Sequence, residues 1–371
     1  MTATVLIPTH PTDTHAVAVA LALGTKGARP LLWQTPDFPM RAGESLRFGG
    51  GGTTVEIRSP ELELDPSQVT TVWNRRPSHG LDPDLLDPAD LAFAERSLEL
   101  LRRSVLSLLR PDAFWVNPSR AVEANTKPLQ LAHALKAGFR VPETLVTNDP
   151  EAVRAFLAER GGQVVFKPLT LSMWRSGDDF RAPYSRLVTE ADLVDDDLLR
   201  AAPGIYQEPV PKAYEVRLTM MGHRPLAARL RSQETAGGRL DWRRSYGELV
   251  MEPMETPAEV TRRAVSFLAS MGMVFGCLDL IVTPEGEWVF VENNQAGQFL
   301  FVEQAAGLPM LDAFCELLIQ GRPDFAWDPD RPGVRLADVV DAAQEEIRRL
   351  GRRHTRQRDP SWREAVPPEV E

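Results

Sequence analysis

Two apolar segments on either side of a Pro-Glu-Gly turn carry three side chains whose oxygens can bind a metal ion. Asp279 lies in VFGCLDLIV, and Glu292 and Asn294 lie in EWVFVENN. If Glu285 and Gly286 form a two-residue hairpin loop, Asp279 lies opposite Glu292, and Asn294 shares their face because side chains alternate along a strand. Opposed carboxylates repel each other unless a cation lies between them. Hard oxygen ligands of this kind are typical of Mg²⁺ bound together with substrate phosphates.

The hairpin leaves two alternatives open. A three-residue loop would break the pairing of Asp279 with Glu292. An exposed acidic hairpin would need no metal. The metal site is the preferred interpretation because both strands are otherwise apolar.

Lysine is scarce in this chain, so the positions of the few lysines are informative. Of the 42 basic residues, five are lysines, and three of these have settings that favour an anionic ligand. Lys167 ends the apolar run VVFKP at the edge of a predicted buried strand. Lys127 opens a predicted helix, where a positive charge opposes the helix dipole. Together with Lys212 they predict a phosphate site, since lysine serves phosphate well as a point charge.

Two further polar groups precede or lie on predicted strands. The segment QEPV at 207–210 places a polar pair before an apolar turn. Glu215 and Arg217 share one face of the following strand, where an ordinary cross-strand salt bridge is the alternative to a functional role. Arginines between 217 and 244 supply local positive charge for an acidic substrate.

The elements that position these residues follow from the hydrophobic pattern. The N-terminal part predicts strands at 2–8, 29–33 and 69–77, with helices at 15–24 and 88–110. The glycines of FGGGGTT at 48–54 precede a strand-like segment rather than a helix, so they indicate a turn and not a phosphate loop. Further strands are predicted at 141–146, 164–166, 205–210, 214–222, 225–232, 274–282 and 287–293, and further helices at 126–138, 149–160, 257–271 and 338–350.

Composition excludes several classes of protein. The formal net charge is −10, which argues against a nucleic-acid ligand because such binders present a basic surface to phosphate. Cys277 and Cys315 suit a reducing cytosol and cannot form a four-cysteine zinc site. No segment approaches the roughly 18 apolar residues of a membrane span, and the N-terminus lacks a signal-peptide pattern. We therefore expect a cytoplasmic protein without a membrane partner.

In this order along the chain, the motifs resemble those of the ATP-grasp ligases. The resemblance extends from Lys127 to about Leu318 through the lysine before Pro168, the QEPV segment, the Glu-x-Arg strand and the paired LDLIV and FVENN segments. It is closer to the ribosomal-peptide maturases that make microviridin-type graspetides. The motifs that carry this closer resemblance are WNRRP at 73–77, WVNP at 115–118, NTKPLQLAHALKAGFRVPETLVTNDP at 125–150, DWRRSYGE at 241–248 and GQFLFVEQAAGLPM at 297–310.

The resemblance implies an α/β chain with the ATP-grasp fold in four segments. These are an N-terminal α/β pre-ATP-grasp domain at 1–120, a central subdomain at 121–203, a C-terminal subdomain with the metal site at 204–325, and a charged helical extension at 326–371. The basic run at 348–358 is interpreted as a solvated helix, with an RNA or acidic-peptide site as the alternative.

The resemblance also assigns roles to individual residues. ATP phosphates would be bound by Lys127 and Lys167, and adenine would contact Gln207, Glu208 and Val210, the last two through their backbone. The ribose and phosphates would lie near Lys212 and Glu215. Two Mg²⁺ ions would be bridged by Asp279, Glu292 and Asn294, and the reacting carboxylate would face Arg217, Arg231 and Arg243. Where many relatives have E-x-N-P-x-G-Q, this chain has ENNQAGQ at 292–298, so we expect the same metal ligands in a different loop.

The implied reaction is ATP-dependent activation of a carboxylate. An Asp or Glu side chain of a ribosomal precursor peptide attacks the γ-phosphate, giving an acylphosphate and ADP. A Ser or Thr hydroxyl, or a Lys amine, then displaces phosphate and closes an intramolecular ester or amide. The expected partner is a peptide with a leader and an acidic core, and a homodimer is an expectation from the family.

Two other functions remain open on the sequence. An ATP-grasp ligase could add amino acids to a protein or peptide C-terminus, although WNRRP and the QLAHALKAG region favour the maturases. A non-catalytic, ATP-binding regulatory partner is the alternative from another class, and the full set of metal ligands and phosphate lysines argues against it. A dinucleotide-binding oxidoreductase is disfavoured because the β-α opening lacks GxGxxG.

Overall fold

The computed structural model of the chain describes residues 2–170, 174–176, 179–181, 185–235 and 237–354. The N-terminal part alternates strands and helices. Its elements are β1 (Thr4–Thr9), α1 (Thr14–Thr25), β2 (Arg29–Gln34), β3 (Gly43–Gly49), β4 (Gly52–Arg58), β5 (Thr71–Trp73), α2 (Pro88–Leu108), β6 (Phe114–Val116) and α3 (Ser119–Ala124).

A parallel sheet in the order β2-β1-β5-β6 forms the centre of this part. Helix α1 is capped by Asp13, whose carboxylate accepts a hydrogen bond from the Ala16 amide at 3.1 Å. The apolar residues of the helix are buried. Strands β3 and β4 pair as a hairpin closed by glycines. The prediction of a turn rather than a phosphate loop at 48–54 is therefore confirmed.

The central part contributes a second sheet, in the order β11-β8-β12-β7. Its elements are α4 (Lys127–Lys136), β7 (Thr144–Thr147), α5 (Pro150–Glu159), β8 (Val164–Pro168), β9 (Trp174–Ser176), β10 (Asp179–Arg181), β11 (Arg186–Val188), α6 (Asp196–Ala201) and β12 (Gly204–Gln207). Strand β12 pairs with both β7 and β8. The central sheet thus continues beyond residue 203, where the sequence suggested a boundary.

The third part has an antiparallel sheet in the order β15-β14-β13-β16-β17. Its elements are β13 (Tyr214–Met221), β14 (Arg224–Leu230), β15 (Met251–Met254), α7 (Ala258–Ser270), β16 (Phe275–Val282), β17 (Trp288–Asn294), α8 (Leu300–Ala306), α9 (Met310–Gln320) and α10 (Leu336–His354). Among the described residues, no helix has both the length and the apolar character needed to cross a membrane.

The hairpin between β16 and β17 corrects one prediction and confirms another. Val282 pairs with Trp288, and the Thr283 amide donates to the Glu287 carbonyl, so the loop has three residues and the two-residue loop was wrong. Asp279 nevertheless lies opposite Glu292, because the register shifts by one residue between Asp279 and Leu280. This β-bulge restores the parity that the longer loop removes.

The C-terminal helix α10 packs on α1 of the N-terminal part. Two buried carboxylates on α8 and α9 anchor the segment before it. Glu303 accepts hydrogen bonds from the Leu336 amide at 2.7 Å and from Arg335, and Asp312 accepts one from the Trp327 indole at 2.8 Å. The part of the predicted C-terminal extension beyond 354 lies outside the described residues.

An aromatic cluster joins the N-terminal sheet to the third sheet. The ring centroid of Phe314 on α9 lies near the ring centroids of three other aromatic residues. The distances are 4.8 Å to Trp73 of β5, 5.0 Å to Phe275 of β16 and 4.9 Å to Phe299. All four side chains are buried. The cluster therefore fixes the position of the hairpin formed by β16 and β17 relative to the N-terminal domain.

We predict that Phe314→Ala lowers the free energy of unfolding by about 3–5 kcal/mol, because it removes buried ring contacts and leaves a cavity. Urea denaturation followed by circular dichroism measures this loss. Phe93→Ala is the matched control, since Phe93 on α2 is 78% exposed. Equal stability of the two variants would contradict the structural role given to the cluster.

Candidate active site

Three charged residues form a row across neighbouring strands of the third sheet. Arg217 on β13 lies opposite Asp279 on β16, which lies opposite Glu292 on β17. The Arg217 guanidinium donates to Asp279 Oδ1 at 2.8 Å and to the Gln298 carbonyl at 3.1 Å. Asn294 pairs with Cys277, two residues before Asp279, so its side chain lies on the same face.

The charges of this row favour a bound cation. Burial raises the pKa of Asp279, and the negative charge of Glu292 raises it further against the opposing effect of Arg217. Although burial opposes its charge, the Arg217 guanidinium has a raised pKa because Asp279 lies beside it. A divalent cation between Asp279 and Glu292 would remove the repulsion that raises the Asp279 pKa.

The predicted phosphate lysines approach the same carboxylates. Lys127 Nζ lies 4.0 Å from Glu292 Oε2 and donates to the Pro168 carbonyl at 3.1 Å. Lys167 on β8 is half-buried, and burial lowers its pKa to about 8, with further lowering from the charges of Lys127 and Lys212. Neighbouring ammonium groups repel one another, so this arrangement favours an anionic ligand.

Lys212 and Glu215 pair with each other at the start of β13. Lys212 Nζ donates to Glu215 Oε1 and to the Leu240 carbonyl, both at 2.9 Å. The segment before them is fixed to the central sheet. Gln207 is buried and donates to the Thr144 hydroxyl at 2.9 Å, and the Glu208 amide donates to the Glu143 carbonyl. Val210, also predicted to contact adenine, is half-buried.

The structure separates the three predicted arginines. Arg243 is fixed by two hydrogen bonds to Asp241, at 2.8 and 2.7 Å, and lies close enough to Glu292 and Asp279 for their charges to help raise its pKa, behind the larger effect of Asp241. Arg231 follows β14 and forms two hydrogen bonds with Glu252 of β15, at the opposite edge of the sheet from Glu292. The structure thus brings Arg217 and Arg243 towards the carboxylates, but not Arg231.

These residues fit Mg²⁺ bound with a nucleotide. Within the described part of the chain, no group of three or more His, Cys, Asp or Glu residues could hold a metal ion. Asp279 and Glu292 with the amide oxygen of Asn294 form a smaller donor set. Mg²⁺ is commonly bound by one or two carboxylates together with substrate phosphates. Lys127 and Lys167 lie near Glu292, where their charges would suit such phosphates.

The sequence analysis missed the residues that hold the loop after β17. Arg75 and Arg76 donate to the Ala296 carbonyl, and the amides of Phe299 and Leu300 donate to His15 Nε2. Two arginines at the carboxyl end of a parallel strand, in WNRRP, could have indicated Arg75 and Arg76, because ligand sites gather at that edge of α/β sheets. The single His15 in an apolar helix offered no comparable pattern.

Solved structures of ATP-grasp ligases share this fold. A RiPP-associated ATP-grasp ligase from Chryseobacterium gregarium, in complex with ADP and a leader and core peptide, is 25% identical, with a TM-score of 0.76 over 90% of this chain and 100% of that chain. PsnB, an ATP-grasp ligase complexed with a phosphomimetic variant of its minimal precursor, Mg and ADP, is 26% identical, with a TM-score of 0.69 over 86% and 98%. Fold and site therefore define the chain as an ATP-grasp ligase.

A further comparison shows the family. The macrocyclase MdnC from Microcystis aeruginosa MRC, bound with precursor peptide MdnA, is 30% identical, with a TM-score of 0.74 over 85% of this chain and 99% of that chain. The model of the MvdD pre-ATP grasp domain matches residues 4–123. Comparison with curated protein sequences gives no match. The chain belongs to the RiPP-associated ATP-grasp ligases, as the resemblance to microviridin-type maturases implies.

We predict that Lys167→Met weakens nucleotide binding by about 10- to 100-fold, the equivalent of one lost hydrogen bond to a charged group. The free energy of unfolding should not fall, because burial already penalises the ammonium charge at this position. Calorimetric titration with Mg-ADP measures the affinity. Lys136→Met, at an exposed lysine of α4, should leave it unchanged. An unaltered affinity in Lys167→Met would contradict the assignment of Lys167.

Proposed function

We propose that this enzyme is an ATP-dependent peptide macrocyclase that joins Asp or Glu side chains of a ribosomal precursor peptide to Ser, Thr or Lys side chains of the same peptide. The observation that carries the proposal is the row of Arg217, Asp279 and Glu292. Lys127 and Lys167 lie near Glu292 at one end of this row. The proposal assigns metal, phosphate and carboxylate binding to this group of neighbouring side chains. Membership of the RiPP-associated ligases supports a peptide as the acyl donor.

The reaction needs ATP, Mg²⁺ and a peptide carboxylate. The carboxylate oxygen attacks the γ-phosphorus, the bond from that phosphorus to the bridging oxygen breaks, and ADP leaves. The hydroxyl or amine then attacks the acyl carbon, loses its proton and displaces inorganic phosphate, so each new bond removes the elements of one water from the peptide. Bound Mg²⁺ would neutralise charge on the transferring phosphoryl group.

Each group of residues has a separate task in this proposal. Lys127 and Lys167 bind phosphate oxygens, and Asp279, Glu292 and Asn294 hold the metal. Gln207 and the backbone of Glu208–Val210 contact adenine, with Lys212 and Glu215 near the ribose and phosphates.

We assign Arg217 and Arg243 to the reacting carboxylate and to the negative charge that develops on its oxygen during acyl transfer. For Arg231 the same role stays a prediction, since its pairing with Glu252 does not support it.

The substrate is proposed to be acidic despite the net charge of −10. The arginines and lysines of the site lie near Asp279 and Glu292, and local charge governs the potential that a bound peptide experiences there. A leader segment of the precursor is expected to bind the enzyme as well, as the relatives complexed with leader or precursor peptides suggest. Cytoplasmic localisation and a homodimer remain predictions.

We predict that peptides encoded beside this gene lose one water mass per crosslink when they are incubated with the enzyme, Mg²⁺ and ATP. Intact-mass spectrometry measures the loss, and ADP should form in equal number with the bonds. A gain of whole amino-acid residues would instead show a C-terminal adding ligase. Saturable ATP binding with no mass change in any acidic peptide would contradict the macrocyclase proposal.

Two arginine variants serve as the matched arms of this experiment. Arg243→Gln should slow crosslinking by about 100- to 1,000-fold, the effect of removing one donor to a developing oxyanion, while Mg-ADP binding persists. Arg262→Gln should react at the wild-type rate, because Arg262 on α7 has a side chain that is 69% exposed and pairs with Glu259 on the surface.

A further inference from the structure

The loop from Gln295 to Phe299 connects β17 to α8. Residues far away in the chain form hydrogen bonds to this loop on two sides. On one side the contacts come from the N-terminal domain. Arg75 Nη1 donates to the carbonyls of Ala296 and Gly297, the latter at 3.4 Å. On the other side the Gln298 carbonyl accepts from Arg217 at 3.1 Å. Arg76 also donates to the Ala296 carbonyl, at 3.2 Å. Three successive carbonyls of one loop therefore accept hydrogen bonds from arginines of two different domains.

Arg75 is itself held rigidly. Its side chain is 1% exposed, and its Nε donates to Asp13 Oδ2 at 2.9 Å. Its guanidinium also lies 5.5 Å from the ring centroid of Trp73, a member of the aromatic cluster that joins the two domains. Asp13 also caps α1. The side chain that binds the loop is therefore itself fixed by the core of the N-terminal domain.

Arg217 lies directly against this loop. A Cβ atom placed on Gly297 would be 2.7 Å from Cys277 Sγ and 3.0 Å from Arg217 Nη2. A side chain would not fit there, so glycine allows the loop to lie directly beside Arg217. A displacement of the Gln298 carbonyl would change its hydrogen bond with the Arg217 guanidinium.

His15 provides a second fixed point at the end of the loop. The amides of Phe299 and Leu300 donate to its Nε2 at 3.0 and 3.1 Å. Burial lowers the pKa of His15 to about 3, so the imidazole is neutral and Nε2 can accept both bonds. The loop is thus fixed near both of its ends by side chains of the N-terminal domain.

We propose that Arg75 is a positioning residue for the ligase reaction, which acts through the carbonyls of residues 296–298 to set the orientation of Arg217. The proposal rests on the proposed function for the role of Arg217 towards the reacting carboxylate. A misplacement of about 1 Å in a positioned group costs roughly 100-fold in rate. Loss of Arg75 should therefore reduce the turnover number, kcat, while ATP still binds, since Lys127 and Lys167 are untouched.

The test compares Arg75→Lys with Arg102→Lys. Arg102 is a matched control in the same domain, because it is also buried, pairs with buried Glu44 and stacks 5.1 Å from the Trp33 ring, yet its described contacts do not include the loop. Both variants keep the charge and should lose similar thermal stability. Arg75→Lys should lower kcat by about 100-fold with little change in KM for ATP, whereas Arg102→Lys should retain the wild-type kcat.

Two further measurements separate positioning from general destabilisation. Hydrogen–deuterium exchange of peptides covering 295–300 should accelerate in Arg75→Lys and not in Arg102→Lys, in the absence of any substrate. In an Arg217→Lys background, adding Arg75→Lys should cause no further loss of kcat, because residues that act through one another are not additive. If the kcat losses of Arg75→Lys and Arg217→Lys multiply in the double variant, the proposal is overturned. Unchanged hydrogen–deuterium exchange of residues 295–300 in Arg75→Lys would also overturn it.

Gly297→Ala changes the same loop on the side that faces Arg217. It provides a test if Arg75→Lys does not fold. With Arg75 intact, the added methyl should displace the loop and produce the same split, with reduced kcat and unchanged KM for ATP. Wild-type kcat in this variant would contradict the proposal. Failure of the wild-type enzyme to crosslink any peptide would refute the proposed function, while the exchange experiment would still decide whether Arg75 fixes the loop.

Discussion

The site depends on two carboxylates that the sheet forces to face each other. Asp279 and Glu292 lie opposite on neighbouring strands, where like charges are destabilising. Arg217 compensates Asp279 from one side, and Lys127 approaches Glu292 from the other. The surrounding cations in turn repel one another. A divalent metal bound with a polyphosphate would satisfy both sets of charges at once.

The N-terminal domain supports this site without supplying a predicted catalytic residue. Trp73 packs on Phe314 of α9, which in turn packs on Phe275 of β16. Arg75 and His15 hold the loop that follows β17. Helix α10 returns to pack on α1. The site is therefore assembled by contacts between residues more than 200 positions apart, such as Arg75 with Gly297.

Much of this could be predicted from the sequence because the relevant patterns are local. Alternation placed Asp279, Glu292 and Asn294 on one face, although the prediction succeeded through two compensating features, a three-residue loop and a β-bulge. Turn length and bulges have only weak sequence patterns. The partner of Arg231 could not be predicted, because it depends on strand β15, which the periodicity did not reveal. Long-range contacts such as those of Arg75 produce no regular spacing of residues in the sequence, so they could not be predicted from it.

The most direct test of the central claim is anomalous scattering from a crystal grown with Mn²⁺ and ADP, in which Mn²⁺ substitutes for Mg²⁺. The charge arrangement predicts a peak within coordinating distance, about 2.1 Å, of both the Asp279 and Glu292 carboxylates and of a phosphate oxygen. Lys167 should contact the same phosphates. Bound ADP with no metal peak between these carboxylates would contradict the account, as would a nucleotide bound away from Lys127 and Lys167.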